Sequence, residues 1–460
     1  MGQCGGECVL LDSDPEHCGD CDLACPPGIP CTAGECIPEC TAEETLCGDA
    51  CVATENDEAH CGSCDLACPG DQYCAFGQCV DTTINYVLIG GQSLSIGAGA
   101  GVVSTQQPYD NVMLNTGVRA GAFNLVNFVP LIEKKDGPLG ETIASGMANL
   151  LAEFESAEGR QHVMAASAHG VSGRAYYELK KGTNSFSAGM AQVAAAAEIA
   201  TAQGDRLAVR AVAMIHGESD HGIENSNYEQ DLLQWQGDYE ADIRAITGQA
   251  HPVPMFLCQI STWTMYGKGH ATSVIPKAQL SAADARPERI FVVGPKYFFP
   301  YVDGVHLNAD GERWLGEYYA KVYRKVLIDG ERWIPVRPLA QSRDGAVITV
   351  DFHVPEPPLV FDTEGVSDPG NLGFEYWDDS DAPPSIVNVE LSGDAQVQVT
   401  LSAEPTADNK RIRYAYTGVF ATPGGPNTGP RGNLRDSDST QSRHDYPLYN
   451  WSVHFDEPVD

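Results

Sequence analysis

Ser93 closes the run Val87-Leu88-Ile89-Gly90-Gly91-Gln92-Ser93, in which an apolar stretch gives way to two glycines, an amide and a hydroxyl. Far downstream, Asp303-Gly304-Val305-His306 sets a carboxylate and an imidazole three residues apart. A hydroxyl is a poor nucleophile until a base takes its proton, and an imidazole serves as that base when a third group orients its ring. Within Asp-x-x-His the two side chains can fold back on one loop. Asp303 can then fix the ring of His306 while the other ring nitrogen faces Ser93. These are the parts of hydroxyl-based acyl transfer. A serine directly after a strand and a Gly-Gly-Gln turn also lies near a helix amino end, where free N–H groups can hold an oxyanion. Taken singly, Gly-Gln-Ser also fits a flexible turn, and Asp-x-x-His fits a helix cap before 307–309. The case for chemistry rests on their occurring together.

Such residues need a scaffold that brings them to one edge. From about residue 83 the chain alternates short apolar runs (84–89, 162–168, 207–215, 253–260 and 290–293) with helical patterns (141–155, 187–202, 228–247, 278–285 and 309–326). The runs are apolar on consecutive positions, as strands covered on both faces are. This predicts an α/β fold, a three-layer, doubly wound parallel sheet whose active loops follow the carboxyl ends of the strands. Ser93, His169, His216–Asp220 and Asp303–His306 all fall at or soon after such ends.

The remaining chain reads as two further regions, giving boundaries at 1–82, 83–335 and 336–460. Of sixteen cysteines, fifteen precede residue 80. Seven of them, Cys4, Cys8, Cys18, Cys21, Cys25, Cys31 and Cys36, recur 43 positions later as Cys47, Cys51, Cys61, Cys64, Cys68, Cys74 and Cys79. That density reads as disulfide staples in an exported protein. The alternative is zinc, from the C-x-x-C pairs Cys18/Cys21 and Cys61/Cys64. Cys40 would be an eighth cysteine of repeat two, with a counterpart before Met1, so one cysteine of repeat one is expected to lack its partner. The chain enters this region at once, so its start reads as an expression boundary after removal of a leader. After about residue 336 the pattern changes to short alternating strands (347–354, 386–391, 395–401 and 411–417, with a closing strand near 446–451), as in an all-β sandwich. Trp377, Tyr376 or Trp451 could bind carbohydrate there, or the region could simply complete the central domain.

Composition narrows the partners. With 63 acidic against 28 basic residues the formal charge is −35, which repels phosphate backbones and anionic membranes and argues against nucleic acid. It fits solubility, a saline habitat or calcium binding. No run of about 18 apolar residues suggests a membrane span.

Gly91-Gln92-Ser93, Gly217-Glu218-Ser219-Asp220 and Asp303-Gly304-Val305-His306-Leu307, in this order over about 83–335, resemble the SGNH hydrolases, and within them the sialate O-acetylesterase-like carbohydrate esterases. The resemblance implies a flavodoxin-like sheet and removal of O-acetyl groups from a polysaccharide or glycan, with no metal or other cofactor. It also implies Ser93 as nucleophile, His306 as general base and Asp303 as its orienter. Gly140 of Leu139-Gly140-Glu141 would join the N–H of Ser93 in the oxyanion hole. The branch carries glutamine where this chain has His216, so His216 either donates in its place or the third donor is weak; the usual SGNH asparagine donor is not evident. Gln92, Glu141, His169, Arg174, Glu218 and Trp263 are the expected substrate-side residues, with Tyr266 beside Trp263. His216, Glu218, Asp220 and His221 could alternatively form a metal cluster. The cysteine repeats resemble modules of secreted and surface proteins of myxobacteria and similar bacteria, which implies attachment or spacing. The expectation is a secreted or cell-surface bacterial serine esterase. The alternatives are a lipase-like or polyester-cleaving hydrolase with the same triad, and a non-catalytic surface adhesin.

Overall fold

The computed structural model describes the chain except residues 1, 5, 6, 27, 28, 39, 42, 43, 49, 56, 58, 69–71, 76, 82, 83 and 267–269. It divides into a small unit, Met1–Thr82 with Gln249–His251, and a large one holding Thr83–Gly248 and Pro252–Asp460.

The small unit is built from hairpins of two to four residues per strand, such as Cys31–Thr32 with Glu35–Cys36 and Gln72–Ala75 with Gln78–Asp81. Strands this short bury little apolar surface, so cross-links must limit the unfolded chain instead. Seven disulfides do so, and six of them repeat in the 43-residue register. Cys4–Cys21, Cys18–Cys31 and Cys25–Cys36 correspond to Cys47–Cys64, Cys61–Cys74 and Cys68–Cys79. Cys51 bonds Cys40, whereas its counterpart Cys8 is a free, exposed thiol. The sulfurs of the C-x-x-C pairs are thus consumed in disulfide bonds.

The large unit opens on β1 (Ile84–Gly91), every residue of which is buried. Then follow β2 (Val112–Leu114), β3 (Phe128–Pro130), α1 (Ile143–Ala157), β4 (Met164–Ala168), α2 (Asn184–Gln203), β5 (Leu207–Ile215), α3 (Tyr228–Thr247), β6 (Met255–Gln259), α4 (Ile275–Ala285), β7 (Ile290–Pro295) and α5 (Ala309–Tyr323). These strands form one sheet in the order β3-β2-β4-β1-β5-β6-β7, parallel except for β3. The five long strands alone run β4-β1-β5-β6-β7, the flavodoxin-like order, with the switch point between β1 and its neighbours. Alternate residues of β1 point to opposite faces: Val87 and Ile89 pack with α1 and α5, and Tyr86 and Leu88 with α2, α3 and α4. The fold is therefore the three-layer α/β class expected, with every long strand and helix at its predicted place. The short β2–β3 hairpin was not anticipated. Helix ends follow local chemistry. Thr142 Oγ1 accepts the N–H of Ala144 at the start of α1, Asn308 Oδ1 accepts that of Gly311 at the start of α5, and Gly204 and Gly248 end α2 and α3 in the left-handed region.

Beyond α5 the chain is β-rich: β8 (Arg337–Asp344), β9 (Val347–His353), β10 (Phe374–Trp377), β11 (Ile386–Leu391), β12 (Gln396–Leu401), β13 (Arg411–Tyr414) and β14 (Phe455–Pro458). They make two antiparallel sheets, β8-β9-β12-β11 and β10-β13-β14. Phe352 of the first meets Phe374 and Phe455 of the second, which closes the sandwich. The expected closing strand at 446–451 is instead extended chain with one bridge at Trp451, and β14 takes that role. Tyr318 Oη, on α5, donates to the carbonyl of Tyr449, and Tyr297 Oη to that of Ser452. One hydrophobic core accordingly runs from β1 through α5 into both β sheets.

Candidate active site

The site begins where β1 stops. Gly91 has φ +128°, and a Cβ there would lie 2.1 Å from the carbonyl oxygen of Ile215. Only glycine lets the ends of β1 and β5 approach this closely. The chain then turns into a single 3₁₀ turn, Ser93–Ile96. The first N–H groups of such a turn have no carbonyl partner from the helix itself. Gln92 is fully buried; its Oε1 accepts the N–H of Ser219 at 3.0 Å, which orients the amide and leaves Nε2 buried without a protein partner.

The second half comes from the loop before α5. Tyr301 and Leu307 pair as an isolated bridge, and Val302 N–H donates to the His306 carbonyl at 2.8 Å, so residues 302–306 form a tight turn. Asp303 Oδ1 accepts the N–H groups of Val305 (2.9 Å) and His306 (2.7 Å), and Oδ2 accepts from His306 Nδ1 at 2.7 Å. With Nδ1 as donor, the lone pair of the neutral ring lies on Nε2, which is 2.8 Å from Ser93 Oγ. Burial alone would raise the carboxyl pKa of Asp303; the hydrogen bonds from the His306 ring and from the two N–H groups outweigh it and hold the group below its usual range. Two loops from opposite ends of the central region thus bring a hydroxyl, an imidazole and a carboxylate into one hydrogen-bonded row.

Other expected residues stand elsewhere. Gly140 N–H donates to the Gly97 carbonyl at 2.8 Å, so it is spent on bracing the 3₁₀ turn. His216 is fully enclosed: its Nδ1 is 2.7 Å from Tyr228 Oη, its Nε2 is 3.0 Å from the Arg174 carbonyl, and its ring stacks on Tyr228. Both nitrogens are occupied, and neither is available to an oxyanion. Glu141 Oε2 accepts the N–H groups of Val103 and Ser104 behind the serine turn, and burial pushes its carboxyl up. His169 turns under the sheet onto Tyr239 Oη (2.7 Å), where burial lowers its pKa to about 4. Trp263 is buried against His454, with its Nε1 donating to the Ala271 carbonyl, so it presents no face to a ligand. Arg174 is exposed beside the site, paired at 2.5 Å with Glu178. Tyr266 Oη meets Ser219 Oγ at 2.9 Å and stays partly exposed. Glu218 points inward to Lys296, its Oε1 2.5 Å from Nζ, both side chains wholly buried.

His216, Glu218, Asp220 and His221 do not converge as ligands. Asp220 accepts from Tyr176 N–H and Asn225, and His221 bonds Ser273 and the Trp263 carbonyl. The partners Lys296, Tyr228 and Gly97 were missed because nothing near them in the chain signals a bond formed across the sheet. Also missed was the loop at 418–424, which packs on the Asp303–His306 turn. A Cβ on Gly304 would lie 2.4 Å from that of Pro423, and Gly424 N–H donates to the Gly304 carbonyl at 2.8 Å.

Residues 32–82 match the Stigma-specific STIG1-like protein family. No curated protein matches the chain. Among solved structures, it is similar to a carbohydrate acetylesterase from Xanthomonas citri, with 14% identity over 81% of this chain and 80% of that one and a TM-score of 0.53. It also overlaps a protein from Arabidopsis thaliana (17% identity, 52% of this chain, 97% of that one, TM-score 0.39) and a carbohydrate acetylesterase from Sinorhizobium meliloti (16%, 52%, 97%, 0.31). The first of these shows the chain's fold to be that of the Xanthomonas structure.

Proposed function

We propose that this protein is a serine ester hydrolase that removes O-acetyl groups from a polysaccharide or glycan. The observation that carries the reading is the 2.8 Å approach of His306 Nε2 to Ser93 Oγ, with Asp303 on the far side of the ring. In the reaction Ser93 Oγ attacks the acetyl carbonyl while Nε2 takes its proton, and the imidazolium then returns that proton to the departing sugar oxygen. Water, deprotonated by the same nitrogen, releases acetate from the acetyl-serine. With Gly140 and His216 engaged elsewhere, the N–H of Ser93 and the unpartnered Nε2 of Gln92 are the donors we assign to the oxyanion. No metal or other cofactor enters the scheme. The carbohydrate substrate follows the names of the Xanthomonas and Sinorhizobium neighbours, and a sialate ester is one member of that class.

The disulfide-stapled repeats favour a secreted or surface protein, and in this reading the repeats or the β sandwich serve as its attachment element. Among the described residues no helix is long and apolar enough to cross a membrane. The test is acetate release from acetylated xylan, pectin, sialoglycans and bacterial polysaccharides, alongside p-nitrophenyl esters of increasing chain length. Acetyl-selective turnover that Ser93→Ala abolishes is the expected result. A long-chain preference would favour the lipase-like alternative. Turnover that persists in Ser93→Ala would overturn the assignment.

A further inference from the structure

Lys296 follows β7 and is wholly buried, yet its polar groups reach three other segments. Its Nζ donates to Glu218 Oε1 at 2.5 Å, at the end of β5. Its backbone N–H donates to Ser261 Oγ at 3.1 Å, just past β6, and its carbonyl accepts Tyr301 Oη at 3.0 Å. Tyr301 pairs with Leu307 at the base of the turn that carries Asp303 and His306. Glu218 opens the short helical turn Glu218–Gly222, and the peptide joining it to Ser219 supplies the N–H held by Gln92 Oε1 at 3.0 Å. Contacts therefore run without a break from Lys296 Nζ through Glu218 and Ser219 to the amide beside Ser93.

Stability is a weak reason for such a pair. Taking an ammonium and a carboxylate out of water costs more than their attraction often returns, and apolar side chains of the same volume commonly serve as well. Glu218 Oε2 is buried with no hydrogen-bond partner among the described residues, so its lost hydration is not replaced. What the pair fixes is direction. Gly217 has φ +134°, and a Cβ there would stand 2.8 Å from Ile260 Cγ2, so the chain bends sharply as it leaves β5. No side chain of residue 217 caps the turn that follows. A turn this short has few internal bonds to hold its own start. The Glu218 carboxylate, anchored on Lys296, holds that start and with it the direction of the Ser219 N–H.

Resting on the esterase reading, in which Gln92 Nε2 donates to the oxyanion, we infer that Lys296 is a positioning residue for that donor. Through Glu218 and the Ser219 N–H it sets the plane of the Gln92 amide. Oε1 and Nε2 share that plane, so fixing the first fixes the second. An oxyanion donor acts only at hydrogen-bond distance from the developing charge. A rotated amide therefore loses transition-state binding and leaves ground-state binding intact. Lys296 itself touches no reacting atom.

Lys296→Met/Glu218→Leu removes the linkage and fills its place with apolar volume. With a native far-ultraviolet spectrum, this variant should lose about 10–100-fold in kcat on p-nitrophenyl acetate, with KM within about twofold of wild type. The acid limb of its kcat/KM profile, set by His306, should stay in place. In a Gln92→Ala background the same replacement should cost less than about threefold, because the group it acts through is gone. A second comparison does not depend on the apolar pair folding. Glu218→Gln keeps the shape and an oxygen for Nζ and should retain kcat within about threefold, where Glu218→Ala loses about tenfold. A folded double variant with wild-type kcat, a shifted acid limb, equal losses in both Gln92 backgrounds, or equal kcat in Glu218→Gln and Glu218→Ala overturns the inference. A further readout needs no turnover: the side-chain amide resonance of Gln92 in protein carrying isotope-labelled glutamine, identified by its absence from Gln92→Ala. It should shift in the double variant, and an unmoved resonance overturns the linkage. If the wild type hydrolyses no ester and the resonance still shifts, the linkage stands and the esterase reading falls.

Discussion

Gly304→Ala is the sharpest probe of how the site is assembled. The new methyl group would sit at φ +82°, 2.4 Å from Pro423 Cβ and 2.7 Å from its Cα, inside any contact that real side chains tolerate. The left-handed conformation costs alanine about 1–2 kcal/mol. The clash cannot be relieved by a rotamer change, since part of the obstacle is Pro423 backbone, so the Asp303–His306 turn must shift by several tenths of an ångström or more. His306 lies two residues further on, and a displacement near 1 Å at a reacting group costs about 10²-fold in rate. We therefore expect kcat/KM on p-nitrophenyl acetate to fall about 100-fold while the far-ultraviolet spectrum stays native. Pro423→Gly alone should cost less than about threefold, because Gly424 still donates to the Gly304 carbonyl. The double variant should recover to within about tenfold of wild type, a coupling that two independent sites would not show. The reasoning is refuted if Gly304→Ala keeps more than a third of its activity, or if the two losses simply multiply.

Three further outcomes follow from the geometry. Asp303→Asn retains an oxygen for the N–H groups of Val305 and His306 but sets an amide donor against Nδ1. The ring then adopts the other tautomer, and kcat should drop about 10³–10⁴-fold with stability almost unchanged; a loss below tenfold contradicts the assigned role. Lys296→Met strands Glu218 as a buried charge and should cost about 3–5 kcal/mol in urea unfolding, much of it regained in Lys296→Met/Glu218→Leu. A single-variant loss under about 1 kcal/mol would show that the pair is not structurally important. His454 is held neutral by burial, its pKa lowered to about 3 against about 6.5 in an unfolded chain. The folded state thus binds fewer protons between these values, so the contribution is complete above pH 6.5 and is lost as pH falls towards 3. By pH 4.5 the loss is about 2–3 kcal/mol, and His454→Gln should show a correspondingly smaller drop in stability from pH 7 to 4.5; parallel curves would refute it.

The layered sheet was legible because its long strands, buried on both faces, read as unbroken apolar runs. The β2–β3 hairpin escaped notice because three-residue strands carry no periodicity. The mutual hydrogen-bond reach of Ser93, Asp303 and His306 could be anticipated, since Asp-x-x-His is a local geometry and Gly-Gln-Ser sits at a strand end. The donors could not. Gly140 and His216 had the right residue types, but Gly97 and Tyr228 claim their hydrogen bonds, and such claims are settled only by distant segments. Glu218 and Lys296, 78 positions apart, gave no hint of one another before folding. Trp263, a good stacking residue on paper, is hidden by a histidine from the last strand's approach.

The interlock of Pro423 and Gly424 with Gly304 has a consequence for biogenesis. A ribosome releases the Ser93 and His306 segments well before the segment that braces the His306 turn, so a nascent chain carries the Ser93 hydroxyl and the His306 ring without that final support. Competence would then be conferred last, by the distal part of the polypeptide. A product terminated after α5 would possess every residue of the proposed triad and still lack the wedge beside its Asp303–His306 turn.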